Sequence, residues 1–248
     1  MEKQIKQIHN QDNRFYLIDG KYYPSVTTIL QAYPKGIGFY RWLTTNGNWQ
    51  EAEKVRDQAG DRGARVHNSI LQLIKGKQLR LMTAKKDERI FTEEEWKAIM
   101  AFKNFWEDFK PTTLDCEKIV HSEKFGYAGT ADWIGTIEIT GKDKKKKRCL
   151  TIIDWKTSKS IYSSSLLQVA AYAFANAEMK DEPVDALAVV QLGSKTKKGY
   201  TVKFVKDRKL CLRVFLACKL IWEFENPGAE PRREELPGEI KLQKHEKV

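Results

Sequence analysis

The stretch CLTIIDWKTSKS, residues 149–160, decides how the chain is read. Leu150 to Ile153 have strand character and run directly into Asp154, Trp155 and Lys156. Alternate residues of a strand share a face, so Asp154 and Lys156 are neighbours there. Taken alone, such a pair is an ordinary surface ion pair where a strand leaves the core. Upstream, GTADWIG at 129–135 places Asp132 in a strand of its own. If the two strands form a hairpin, Asp132 comes near Asp154. Two carboxylates and a lysine at a strand end suit Mg²⁺ or Mn²⁺, which favour oxygen ligands, with the lysine left to serve a water or a phosphate.

Working outward, the hydrophobic period divides the chain. RFYLIDGKYY at 14–23 sets two apolar runs around Asp19-Gly20, a hairpin signal. Pro24 and Ser25 read as a helix start. Val66, Ile70, Leu73 and Ile74 fall at helical spacing and predict a helix over 50–75. Thr92 with Glu93, Glu94 and Glu95 opens a second helix in capping-box fashion, which Pro111 ends. Residues 115–123, 129–140 and 149–156 then read as strands and 163–179 as a helix. Strands follow at 185–192 and 199–206, and a last helix at 207–225. One folding unit over 1–225 is expected, with a hairpin and helical part over 1–112 and an α/β core over 113–225. Residues 226–248 lack apolar periodicity and are expected to form a mobile tail.

Composition narrows the function classes. Hydrophobic content of 41% with 31% charged residues fits a soluble globular protein. No apolar run approaches the roughly 18 residues of a membrane helix, and the polar start does not read as a signal peptide. A soluble intracellular protein without a membrane partner is expected. Cys116, Cys149, Cys211 and Cys218 are scattered without a CxxC pair and read as reduced thiols. A net charge of +11 favours a polyanion, nucleic acid first. No zinc-finger, helix-turn-helix or phosphate-loop pattern occurs.

Four short motifs follow one another. They are Gly63-Ala64-Arg65-Val66-His67, Gly129-Thr130-Ala131-Asp132, Asp154-Trp155-Lys156 and Gln168-Val169-Ala170-Ala171-Tyr172. In this order the chain resembles the RecB-type exonuclease branch of the PD-(D/E)xK nuclease superfamily, with its G-x-x-x-H, G-x-x-D, D/E-x-K and Q-x-x-x-Y motifs. PSVTTIL at 24–30 and RGARVH at 62–67 are further similar to phage exonucleases and the mitochondrial genome maintenance exonuclease within that branch.

The resemblance implies an α/β, restriction-endonuclease-like fold: a mixed central sheet flanked by helices, with a helical N-terminal elaboration. It implies a metal-dependent DNA exonuclease acting on single strands or processed ends in replication, recombination or repair. Replication or recombination proteins would be partners, in the cytoplasm of a bacterial or phage-infected cell. One or two Mg²⁺ or Mn²⁺ ions would be held by His67, Asp132, Asp154 and the Trp155 carbonyl. Glu123 resembles the acidic residue that often precedes G-x-x-D. Lys156 would serve the attacking water, and Gln168 and Tyr172, at i and i+4 on one helix face, would bind phosphate or brace Lys156. Ser25, Thr27 and Thr28 are implied phosphate contacts, and Arg56, Arg62 and Arg65 read as DNA contacts on the helix of His67. The iron–sulfur cluster of some relatives is not expected, since its clustered C-terminal cysteines do not occur. The basic loop Lys142–Arg148 reads as a solvated tip or a salt-sensitive DNA attraction. Phe39, Tyr40, Trp42 and Trp49 fit either core packing or stacking on unpaired bases. Two alternatives stay open: a structure-selective endonuclease of the same superfamily, and a non-catalytic DNA-binding recombination accessory protein.

Overall fold

Asp19 and Gly20 both adopt positive φ, 49° and 82°, which a two-residue turn of primed type requires. They join β2 (Asn13–Ile18) to β3 (Lys21–Pro24), and β1 (Ile5–Asn10) completes a three-stranded antiparallel sheet. The computed structural model describes residues 5–10, 13–83, 88–141, 144–180 and 183–231. Sequence periodicity did not indicate β1, because Ile5 and Ile8 lie three apart instead of alternating. Ser25 caps α1 (Val26–Ile29), accepting from the Thr28 N–H, and a 3₁₀ turn over Leu30–Ala32 follows. A helix α2 (Ile37–Thr45) was not foreseen either; it has no fully buried residue, and its apolar stripe is the short set of half-buried Phe39, Trp42 and Leu43.

Two longer helices follow. α3 (Trp49–Ile74) starts where the Asn48 side chain accepts from the Glu51 N–H. α4 (Glu93–Phe109) begins with the expected capping box, Thr92 and Glu95 bonding each other's backbone.

The central sheet runs in the order β4 (Thr112–Ser122), β5 (Tyr127–Thr140), β6 (Lys146–Lys156), β7 (Ala186–Leu192) and β8 (Tyr200–Phe204). Neighbours are antiparallel except β6 and β7, which are parallel and joined through α5 (Ser163–Lys180). α6 (Arg208–Glu225) closes the described chain. The protein is therefore mixed α/β, a five-stranded mixed sheet flanked by helices beside a small antiparallel sheet.

Both faces of the central sheet are covered, which explains the unbroken apolar run before Asp154. Val120, Ile134, Ile152 and Val189 pack with Val169, Tyr172, Phe215 and Trp222 from α5 and α6 on one side. Trp133, Ile137, Ile153, Trp155 and Val190 pack with Val66, Ile70, Phe102 and Phe105 from α3 and α4 on the other. Phe102 and Phe105 each meet the Trp155 ring edge-on at 5.4 Å. The Tyr16 hydroxyl bonds Thr130 Oγ1 at 2.8 Å and ties the small sheet to β5.

The basic loop is shorter than expected. Lys146, Lys147 and Arg148 pair in register with Thr140, Ile139 and Glu138. The Arg148 guanidinium donates to the Thr112 and Thr136 hydroxyls at 2.7 and 2.6 Å. Lys142 and Asp143, and residues 232–248 of the expected tail, lie outside the described residues. Among the described residues, no helix is long and apolar enough to cross a membrane.

Candidate active site

β5 and β6 stay paired only as far as Trp133 opposite Ile153. From there β6 continues with β7, and β5 with β4. The next positions in register are Asp132 and Asp154, so both carboxylates stand where the strands part. On the other side of β5, the pairs Cys116–Trp133 and Lys118–Ala131 bracket Glu117 opposite Asp132. Three neighbouring strands thus each bring one carboxylate to the same end of the sheet.

His67 reaches this place from α3. Its Nε2 lies 3.1 Å from the Trp155 carbonyl, and its Nδ1 lies 3.7 Å from Asp132 Oδ2. A carbonyl can only accept, so Nε2 donates to it, and Nδ1 is the ring atom that faces Asp132. The Trp155 N–H in turn donates to Asp132 Oδ2 at 2.8 Å. Gly63, one turn before His67, lets α3 approach the end of β6: a Cβ there would stand 3.3 Å from Thr157 Oγ1. Ligand atoms of His67, Glu117 and Asp132 all lie within 4.8 Å of one another.

Asp154 is the most constrained of the set. It is fully buried, and Lys156 Nζ is 2.7 Å from its Oδ2. Even so, neither carboxylate oxygen accepts a hydrogen bond of normal geometry. Burial pushes its carboxyl up to about 6; Lys156 opposes the shift and Asp132 adds to it. Glu117 is exposed, yet desolvation by the surrounding chain and the Asp132 charge raise its carboxyl as well. Burial disfavours the Lys156 ammonium, but Asp154 and Asp132 outweigh it and raise its pKa. Lys156 is accordingly a cation here.

Gln168 and Tyr172 come from the helix between the parallel strands. Gln168 Nε2 donates to Tyr172 Oη at 2.8 Å, and burial with the nearby Asp154 and Asp132 charges holds that phenol well above its usual range. Gly129 makes room for the ring, since a Cβ would lie 2.4 Å from Tyr172 Cε1.

Two carboxylates and an imidazole form an oxygen-and-nitrogen donor set, with the buried Asp154 carboxylate next to it in register. Asp154 is buried with the Lys156 ammonium against Oδ2, while its Oδ1 has no partner, a lone pair that a further cation could satisfy. The residues present fit a divalent ion of the Mg²⁺ or Mn²⁺ type.

The structure brings together His67, Asp132, Asp154, the Trp155 carbonyl, Lys156, Gln168 and Tyr172, and adds Glu117. Glu123 does not join them. It sits in the turn between β4 and β5, 3.6 Å from His121 Nε2. Five strand residues separate that turn from Asp132, about 17 Å at 3.3–3.4 Å each. The sequence held the signal for Glu117: counting back from the Gly126 turn places 117, not 123, opposite Asp132.

Ser25 and Thr28 also differ from expectation. Both are buried, Ser25 Oγ bonds Thr28 Oγ1 at 3.0 Å, and the Arg14 N–H donates to Thr28 Oγ1 at 2.9 Å. They hold α1 against β2 instead of facing solvent. Thr27 is half-exposed, with its hydroxyl 2.9 Å from Ser25 Oγ. Arg62 and Arg65 are engaged with α4, at 2.7 Å from Glu94 and 3.1 Å from the buried Glu95. Arg56, about three turns before His67 on the same face of α3, is exposed and pairs with Glu53 and Asp57 on its own helix.

The aromatic segment before α3 is largely outside the core. Ile37, Tyr40 and Trp49 are exposed, and Phe39 lies against Tyr40 and Trp42 with ring centroids 5.7 and 5.8 Å away. Residues 20–50 contain no Asp or Glu, while Lys35 and Arg41 flank the rings. No protein-family model matches the chain, and a search of the curated proteins finds no match either.

Proposed function

We propose that the protein is a metal-dependent deoxyribonuclease of the PD-(D/E)xK type, working as an exonuclease on single strands or processed DNA ends. One observation carries the reading: ligand atoms of His67, Glu117 and Asp132 gathered within 4.8 Å of one another, beside the buried Asp154–Lys156 pair where two strands part. The order of elements, a helix, three antiparallel strands, a helix and a parallel strand, supports the restriction-endonuclease-like arrangement that the motifs imply.

Asp132, Asp154, Glu117 and His67 Nδ1 would hold the cation, with the second lone pair of the Trp155 carbonyl beside them. A divalent ion there supplies polarisation of the scissile phosphate and a water of lowered pKa. The Lys156 ammonium, anchored by Asp154, would orient an attacking water through a hydrogen bond and offset charge growing on the phosphate. Tyr172 accepts from Gln168 and keeps its own proton for donation. β6 is covered on both faces, which fixes where Asp154 points. The rings of α2 and Trp49, with Lys35 and Arg41, favour an unpaired strand, because stacking needs open base faces. α3 carries that surface toward His67 over 18 residues, about 27 Å.

The test is cleavage of end-labelled single-stranded DNA with and without Mg²⁺ or Mn²⁺. A metal-dependent ladder from one end is expected. Asp154→Ala and Lys156→Ala should each lose roughly 10²–10³-fold or more in turnover while retaining DNA binding. Near-wild-type turnover in either variant removes the catalytic assignment. Cutting of circular single strands would make the enzyme an endonuclease, and no cleavage with any divalent metal would leave a DNA-binding protein.

A further inference from the structure

β6 and β7 run parallel and finish beside the candidate metal centre, and the loops that follow them share a composition. Lys156 and Gln191 are the last pair in register, two residues past Asp154 and Val189. Residues 157–162 leave β6 there, and residues 193–199 leave β7. Gln191 Nε2 donates to the Ser158 carbonyl at 2.9 Å, which ties the first loop to the second strand. Residues 155–177 and 186–206 contain no Asp or Glu, while the two loops carry Lys159, Lys195, Lys197 and Lys198.

Internal hydrogen bonds hold the second loop in shape. The Ser194 N–H donates to the Gly199 carbonyl at 2.7 Å, and Thr196 Oγ1 to the Tyr200 carbonyl at 2.7 Å. Lys198 Nζ lies 2.5 Å from Asp108, and Asn104 donates to the Lys198 carbonyl at 3.0 Å, so the loop is pinned on α4 and that carboxylate is taken up. Lys195 and Lys197 stay exposed and pair with no carboxylate among the described residues, and the same holds for Lys159. Lys195 is four residues past Gln191, at most about 13 Å along the strand. Tyr162 closes the first loop. Its carbonyl accepts from the Ser165 N–H at 3.1 Å as α5 begins, and the residue is 58% exposed, with no ring against it among the described residues. Gln168 follows six residues on, about 9 Å along α5. Unpaired ammonium groups and an open ring, with no carboxylate in either loop, match a strand of phosphates with unstacked bases. An acidic peptide would use the lysines and leave the ring without a partner.

We propose that these two loops bind single-stranded DNA beside the metal centre, Tyr162 stacking on a base and Lys159, Lys195 and Lys197 meeting phosphates. The identity of the strand rests on the nuclease reading. The test is binding of labelled oligothymidylate to the full chain in EDTA, where nothing is cut. Tyr162→Ala should weaken binding about tenfold, and Tyr162→Trp should stay within about twofold of the wild type. On a strand of abasic sugars, the wild type and Tyr162→Ala should bind alike. Lys195→Gln combined with Lys197→Gln should reduce the slope of log affinity against log salt by about 1.4. Lys146→Gln combined with Lys147→Gln, at the far end of β6 about 30 Å away, should leave that slope unchanged. All variants should keep the wild-type melting temperature. Wild-type affinity in Tyr162→Ala, an equal loss in Tyr162→Trp, or the same change of slope from the far pair of lysines would each overturn the proposal. The predicted losses without metal-dependent cleavage by the wild type would uphold this surface and remove the nuclease reading. Cleavage by the wild type with unchanged binding in every variant would do the reverse.

Discussion

Gly129→Ala probes how closely the site is packed, with a magnitude that follows from one distance. The new Cβ would stand 2.4 Å from Tyr172 Cε1, 3.1 Å from Cδ1 and 3.3 Å from Val26 Cγ2. Carbon atoms settle at about 3.5–4.0 Å, so the ring must retreat by roughly 1 Å. Tyr172 is only 3% exposed and has no free space to retreat into. Overpacking of this kind costs about 1–3 kcal/mol, and losing the Gln168–Tyr172 hydrogen bond adds about 0.5–1.5 kcal/mol. A total of about 2–4 kcal/mol lowers the melting temperature of a chain this long by roughly 5–15 °C. Urea and thermal unfolding measure it, and Tyr172→Leu closes a double-mutant cycle. The cost of Gly129→Ala should largely vanish once the ring is gone, a coupling of about 2 kcal/mol. A loss under about 0.5 kcal/mol, or equal losses in both backgrounds, would refute the packing reason for this glycine.

Two further outcomes separate the site from its surroundings. Glu117→Gln should weaken Mn²⁺ binding about tenfold or more in calorimetry, while Glu123→Gln leaves it unchanged; equal effects would reverse the assignment on β4. Arg65→Ala should cost about 1 kcal/mol of stability, because the buried Glu95 loses its cation but keeps the Thr92 N–H, and the guanidinium is exposed. DNA affinity should stay within about twofold, and weaker binding at unchanged stability would return Arg65 to the DNA surface.

Much of the site was legible because strand alternation and hairpin pairing are strict rules. Asp154 and Lys156 share a face by period, and Asp132 follows from pairing two recognisable strands. Glu117 was missed although the same rule contains it, since the turn that fixes the register had to be counted before a carboxylate was chosen. The Asp19-Gly20 turn and the Thr92 capping box were equally readable, each being local chemistry between residues a few positions apart. The fates of Ser25, Thr28, Arg62 and Arg65 were not. Their partners are Arg14, Glu94 and Glu95, and for the arginines those lie about thirty residues away, so only the packing of α3 on α4 reveals them. α2 escaped although Phe39, Trp42 and Leu43 fall at helical spacing, because a stripe of three half-buried residues over one turn is a short signal.

Manganese tests the site most directly. A crystal soaked in Mn²⁺ should give an anomalous peak within about 2.3 Å of carboxylate oxygens from both Asp132 and Asp154, with His67 Nδ1 or Glu117 completing the contacts. Its intensity should disappear in Asp154→Ala. A map with no peak there at saturating Mn²⁺, or with ordered manganese elsewhere only, would contradict a metal centre built from these strands.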